Sequence, residues 1–202
     1  MKSCRFFFLQ NLKQEDKKEV EEITREQSDC HKWKEHRSKQ LMASFFETIY
    51  KMKATTSCAK VVKQIHYNIF KGNKFFMYAT ENNISISHCG LVIEEEHQFL
   101  RASPDGLIGK DAALEVKCPN TANLVTPLEA SPKAIICNIV ERNDDFWREK
   151  IISKLSKFYF NCLLREIIDF RYARQLPIRD PDIIINAQKM LALKATKSKK
   201  NS

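Results

Sequence analysis

The chain has 202 residues, a formal net charge of +9 and a pI near 9.2, enough length for one domain with a sizeable core and a charge that favours an anionic partner. Its seven cysteines are odd in number and contain no Cys-x-x-Cys, which argues against a disulfide framework and against a zinc site. No stretch is long enough to span a bilayer and Phe6-Phe-Phe-Leu9 is too short for a signal-peptide core, so a reduced, intracellular protein with no membrane partner is expected.

In chain order, residues 11–27 are highly charged, carry few large apolar side chains and read as a solvated or frayed helix. Ser28 or Asp29 is the expected N-cap of a helix that turns Trp33 inward. Leu41, Phe45, Ile49 and Met52 recur at helical spacing and predict a second helix. Val61, Val62, Ile65 and Ile69 predict a third, stopped by Gly72 and Asn73. The period-two pattern within Ile84–Ile93 suggests two short strands or one bent at Gly90, and with 98–102 and 112–118 it suggests an antiparallel meander. Residues 120–133 read as a loop and 134–140 as a strand. Asn143 is a candidate N-cap for a helix with Trp147, Ile151, Leu155, Phe158 and Cys162 on its buried face and Lys150, Lys154 and Lys157 on the wet one. Pro177 and Pro181 are expected to end the ordered region. Lys189 to Lys200 would then be a lysine-rich tail, either solubilising or an arm for nucleic-acid backbone or nuclear import.

Charge is distributed unevenly. Residues 1–60 carry 13 basic and 9 acidic side chains and residues 146–202 carry 13 and 5, whereas 61–100 carry 3 and 4 and 101–145 carry 5 and 7. A basic periphery around a mildly acidic centre suits a protein that attracts phosphates while holding a cation.

The acidic centre contains Ser103-Pro104-Asp105-Gly106, whose composition predicts a tight turn with Asp105 at a hairpin corner. Ten residues on, Ala113-Leu-Glu-Val-Lys-Cys118 alternates as a strand with Leu114, Val116 and Cys118 on one face and Glu115 and Lys117 on the other, stopped by Pro119. Two carboxylates at this spacing can hold a hard cation such as Mg2+, with a lysine beside them to orient a water; a merely solvated charged hairpin has the same pattern.

The full string from Ser103 to Pro119 resembles the core of the PD-(D/E)xK nuclease superfamily, and within it the branch containing the exonuclease of phage lambda and the YqaJ-type viral recombinases. Trp33, Arg37 and Met42-Ala43-Ser44 resemble that branch's amino-terminal signature, Trp-x-x-x-Arg followed by Thr-Ala-Ser. The resemblance implies that Asp105 and Glu115 bind Mg2+ or Mn2+, that Lys117 is catalytic, and that Arg37, Ser44 and Ser103 form a pocket for a terminal 5′-phosphate. It implies an α+β fold of the α/β/α restriction-endonuclease type, a small, mostly antiparallel sheet flanked by helices. It also implies a DNA partner and, as in some members, a trimeric ring.

The chain departs from the pattern twice. Between about residues 70 and 80 the family's Gly-x-x-x-Glu helix is absent, and nothing around Glu81 replaces it. After Pro119 the glutamine-bearing helix is absent too, since no glutamine occurs between Gln98 and Gln175. The expected organisation is a charged segment 1–23, an internally truncated nuclease domain 24–170 and a basic tail 171–202. The expected function is metal-dependent exonuclease action on 5′-phosphorylated DNA ends. The alternatives are an inactive remnant that at most binds DNA, and a helical protein-interaction module.

Overall fold

A computed structural model describes residues 2–67, 86–109, 112–115 and 140–200. The N-terminal third is helical: α1 (Lys2–Gln14), α2 (Lys17–Ile23) and α3 (His31–Lys39). The charged segment is thus two helices, broken at Glu15 and Asp16 because Asp16 Oδ1 accepts from the N–H groups of Lys18 (2.9 Å) and Glu19 (3.1 Å) and starts α2. Nor is the segment wholly solvated, since Leu12, Val20 and Thr24 are buried. Before α3, Gln27–Asp29 form a 3-10 turn; Cys30 holds the N-cap position without a side-chain bond, in place of the expected Ser28 or Asp29.

The predicted helix from Leu41 is only partly helical. Leu41–Met42 are strand β1, followed by a 3-10 turn, Ala43–Phe45, and then α4 (Phe46–Lys51). Leu41 N–H donates to Phe99 O at 2.8 Å, and this inter-strand bond overrides an apolar spacing that fits either structure. Helix α5 (Ala59–His66) buries Val61, Val62 and Ile65, whereas Ile69 and the Gly72 stop lie outside the described residues.

The strands make two three-stranded sheets among the described residues. In the first, β4 (Leu100–Ala102) pairs in parallel with β1 (Leu41↔Leu100, Met42↔Arg101) and antiparallel with β3 (Val92–Ile93). In the second, β5 (Gly106–Ile108) pairs antiparallel with β2 (Ile86–Ser87) and β6 (Ala112–Leu114). The expected meander is therefore split between two sheets, and the first sheet also takes in β1, where no strand was expected, as a parallel edge. The predicted strand 112–118 is described only to Glu115, and the loop 120–133 and the predicted strand up to residue 139 lie outside the described residues.

Residues 144–169 run as one helical path, α6 (Asp144–Phe146), α7 (Ile152–Phe158) and α8 (Leu164–Asp169) joined by π turns at Trp147–Ile151 and Tyr159–Leu163. Asn143 caps it as expected, its Oδ1 accepting from Phe146 N–H at 2.8 Å. Ile151, Leu155, Phe158 and Cys162 are buried, and Lys150, Lys154 and Lys157 are exposed.

The tail is helical: α9 spans Asp182–Lys200, and Ile184 is buried in the main core. Pro181 opens this helix rather than ending order, because a residue at a helix start has no use for the N–H that proline lacks. Asp180 Oδ1 ties the entry to α5 through Cys58 N–H at 2.8 Å.

Apolar side chains lie on both faces of the first sheet. Leu41 and Leu100 join the larger cluster, with α5 and the 144–169 helices; Met42 and Ile93 join a smaller one with Val20, Trp33 and Leu91. Arg101, paired with Met42 and Ile93, faces the second cluster, where its side chain is fully buried and forms an ion pair with Glu15 at the α1–α2 break. The result is an α+β core with helices on both sides of a small sheet.

Candidate functional site

The site forms where both sheets meet. Strands β1 and β4 are parallel, so their C-terminal ends lie together: Ser44 and Ser103 each follow two residues after the last bridged pair, Met42↔Arg101. Helix α3 precedes β1 and folds back over the sheet, which returns Trp33 to that same end. There the Trp33 indole Nε1–H donates to Ser103 Oγ at 3.0 Å. Because the hydroxyl accepts from the indole, its own O–H is left as a donor.

Arg37 lies one helical turn beyond Trp33, with its guanidinium carbon 4.3 Å from the indole ring centroid. This stacking fixes the plane of the fork. Arg37 is 8% exposed, and burial lowers its pKa to about 10 against an opposing contribution from Glu115; it remains cationic at neutral pH. Ser44 is exposed at the start of the turn that follows β1.

The Ser103-Pro104-Asp105 segment is the crossover from β4 in the first sheet to β5 in the second, and not the predicted hairpin corner. The corner comes later, at Gly109, whose φ of +62° is the one that needs glycine. Gly106 lies within β5, where a Cβ would run into Ile86 Cγ2 and stand 3.3 Å from Ser87 O. Asp105 and Glu115 thus flank the last paired residues of the hairpin, Gly106↔Leu114, and Asp105 N–H donates to Leu114 O at 2.9 Å. Both are exposed. Lys117, the third residue of the predicted set, lies outside the described residues.

The structure therefore sets Arg37 and Ser103 against Trp33, with Asp105 two residues beyond Ser103 and Glu115 beside it at the same hairpin end. Among the described residues there is no group of three or more His, Cys, Asp or Glu side chains that could hold a metal ion. Two exposed carboxylates at one hairpin end are still a donor set that suits Mg2+, which keeps several waters and takes one or two carboxylates.

The family model of the YqaJ-like viral recombinase domain matches residues 32–141, rather more than half of the chain. The chain belongs to that family. The match starts just before Trp33 and contains all of the candidate residues Arg37, Ser44, Ser103, Asp105, Glu115 and Lys117. No curated protein and no solved structure matches the chain. No helix among the described residues is long and apolar enough to cross a membrane.

One group of residues escaped sequence reasoning. Glu21 Oε1 accepts Gly90 N–H (2.9 Å), Thr24 Oγ1 accepts Leu91 N–H (2.8 Å), and Gln27 Nε2 donates to Cys89 O (3.0 Å) and Pro104 O (2.8 Å). Their segment reads as a solvated helix because all three are polar. Nothing in the local spacing shows that they bond to backbone more than sixty residues away.

Proposed function

We propose that this YqaJ-like domain is a divalent-metal-dependent deoxyribonuclease that works from 5′-phosphorylated DNA ends. The observation that carries the reading is Trp33, which carries the Arg37 guanidinium over its ring and bonds Ser103, two residues before Asp105 at the hairpin end it shares with Glu115. A guanidinium fork and a hydroxyl that still has its O–H to donate are apt partners for a terminal phosphate dianion, and Ser44 at the adjoining strand end would add a second hydroxyl. Burial of Arg37 strengthens its interaction with an incoming phosphate relative to a fully solvated arginine.

Asp105 and Glu115 would hold Mg2+ or Mn2+. Such an ion supplies, when bound, an acidified water and neutralisation of phosphate charge. In this reading Arg37 and the serines anchor the end of the strand, which sets the next phosphodiester near the carboxylates. Lys117 orients the attacking water or offsets charge on the phosphate. The exposed lysines and arginines of 1–60 and 146–202 attract the duplex over a longer range.

The test is incubation of the pure protein with 5′-phosphorylated linear duplex and Mg2+ or Mn2+, beside Asp105→Ala and Lys117→Ala. Nucleotide release by the wild-type chain that both substitutions abolish is the expected result. Equal release by all three proteins refutes it. A second reading, a DNA-binding remnant without cleavage, is favoured by the lack of any glutamine between Gln98 and Gln175, where the resemblance calls for a glutamine-bearing helix. Salt-dependent DNA binding with no nucleotide release under either metal would select it.

A further inference from the structure

We propose that Gln27, at the tip of the turn between α2 and α3, is a positioning residue for Asp105. This inference deepens the nuclease reading and rests on it for its catalytic meaning, although its structural content stands on its own.

The chain passes between the two sheets in the connection from β2 to β3 and again in the connection from β4 to β5. The carboxamide of Gln27 holds both passages, with Cys89 O at 3.0 Å and Pro104 O at 2.8 Å. Both targets are carbonyl oxygens, so only the NH2 end of the amide satisfies them, and both of its hydrogens are used. Pro104 O and Asp105 N–H are the two polar edges of one planar peptide unit. Its carbonyl is held by Gln27 and its N–H by Leu114 O at 2.9 Å, next to Glu115. A single pinned plane therefore fixes the direction in which Asp105 leaves the backbone relative to the end of β6, which Glu115 follows.

The neighbourhood is built around this contact. Gln27 has a φ of +43°, a region that residues with a Cβ enter rarely, and its backbone is held there by Gln27 N–H to Thr24 O and Cys30 N–H to Gln27 O, each 2.9 Å. Glu21 and Thr24 clamp Gly90 and Leu91 from the same side. A Cβ on Gly90 would run into Glu21 O and lie 2.5 Å from Thr24 Oγ1, so the segment seats on α2 only because residue 90 is glycine. The close approach and the Glu21 and Thr24 bonds seat the β2–β3 connection against this segment, and from there the strained Gln27 reaches the carbonyl beside Asp105.

The decisive variants are Gln27→Gly, which removes the donors while relieving the positive φ, and Gln27→Met, which keeps the side-chain length without donors. Two readouts are independent of cleavage. The first is site-resolved hydrogen exchange. Asp105 N–H exchanges about tenfold faster in both variants, while Val62 N–H in α5 is unchanged. The second is Mn2+ binding, followed by loss of the free ion's electron paramagnetic resonance signal with Asp105→Ala as reference. Loss of a partner that orients a ligand weakens binding about tenfold or more, at unchanged melting temperature for Gln27→Gly. Unaltered exchange at Asp105 in Gln27→Gly overturns the proposal whatever the protein cleaves, and so does faster exchange with unaltered Mn2+ affinity. A wild-type protein that binds Mn2+ and cleaves nothing refutes the nuclease reading while the same two measurements still decide the role of Gln27.

Discussion

The bond between Trp33 and Ser103 is the point at which the fold and the candidate phosphate pocket become one structure, and removing it has two separable effects. Ser103→Ala deletes the acceptor of an indole N–H that belongs to a residue only 5% exposed. A buried donor left without a partner costs about 1–3 kcal/mol, whereas the bond itself contributes about 0.5–1.5 kcal/mol net. Trp33→Phe deletes the donor and leaves an aromatic ring beneath Arg37; its cost also contains the lost ring volume, about 1–2 kcal/mol more. In the double variant the penalty for the unpaired indole disappears. The two single effects should therefore overshoot their combination by about 1 kcal/mol. Urea unfolding of all four proteins, followed by tryptophan-independent far-UV circular dichroism, measures this coupling. Additivity within about 0.3 kcal/mol would refute the claim that the pair is a unit, and with it the argument that Trp33 holds Ser103 in place.

Further outcomes follow from the same packing. Gly106→Ala forces a Cβ into Ile86 and should cost about 1–3 kcal/mol, with Ile86→Ala in the same chain recovering part of it; equal stability of Gly106→Ala and wild type would show that β2 and β5 are not in this register. Glu15→Ala strands the guanidinium of Arg101, whose Nε and Nη1 already have no hydrogen-bond partner among the described residues, and should destabilise by about 3–5 kcal/mol, while Glu15→Ala with Arg101→Met should regain most of that loss. His36 has its pKa lowered to about 4 by burial first and then by the charge of Arg101, with Lys32 and Lys39 acting in the same direction and Glu35 opposing them; Glu15 also lies 3.9 Å away. A histidine kept neutral in the fold binds its proton more readily in the unfolded chain. Its contribution is therefore complete above pH 6.5 and is lost as pH falls toward 4, by about 1–2 kcal/mol after allowance for its partial exposure. His36→Gln should flatten that part of the stability–pH curve, and an unchanged slope would contradict the assignment.

The residues legible in advance were those whose own local pattern carries the information. Asn143 and the apolar positions from Ile151 to Cys162 define their helix through capping and periodicity alone, and the structure has both. Trp33, Arg37, Ser103, Asp105 and Glu115 were nameable because two motifs, far apart in sequence, resemble one family; the structure places Arg37 and Ser103 against Trp33 and sets Asp105 and Glu115 at one hairpin end. Errors fell where tertiary contacts decide. Leu41 and Met42 fit a helical spacing, yet a bond to Phe99 and parallel pairing with β4 make them a strand. Ser-Pro-Asp-Gly has turn chemistry, yet Gly106 is required by the close approach of Ile86 rather than by a reversal. Pro181 is a helix stop or a helix start depending on which side the ordered chain lies, and Asp180 and Ile184 anchor the C-terminal side. Gln27 carried no signal, since a carboxamide that bonds to backbone remote in sequence looks like any exposed glutamine.

The most direct test of the central claim is the rate of nucleotide release from duplexes that differ only in a 5′-phosphate or a 5′-hydroxyl, compared for wild type and Arg37→Ala in Mg2+. A charge-assisted contact to the terminal phosphate is worth about 1.5–3 kcal/mol, so the wild-type chain should prefer the phosphorylated end by roughly 10–100-fold and Arg37→Ala should lose that preference. Equal rates on the two ends for the wild-type chain, or an undiminished preference in Arg37→Ala, would contradict the pocket built by Trp33, Arg37 and Ser103.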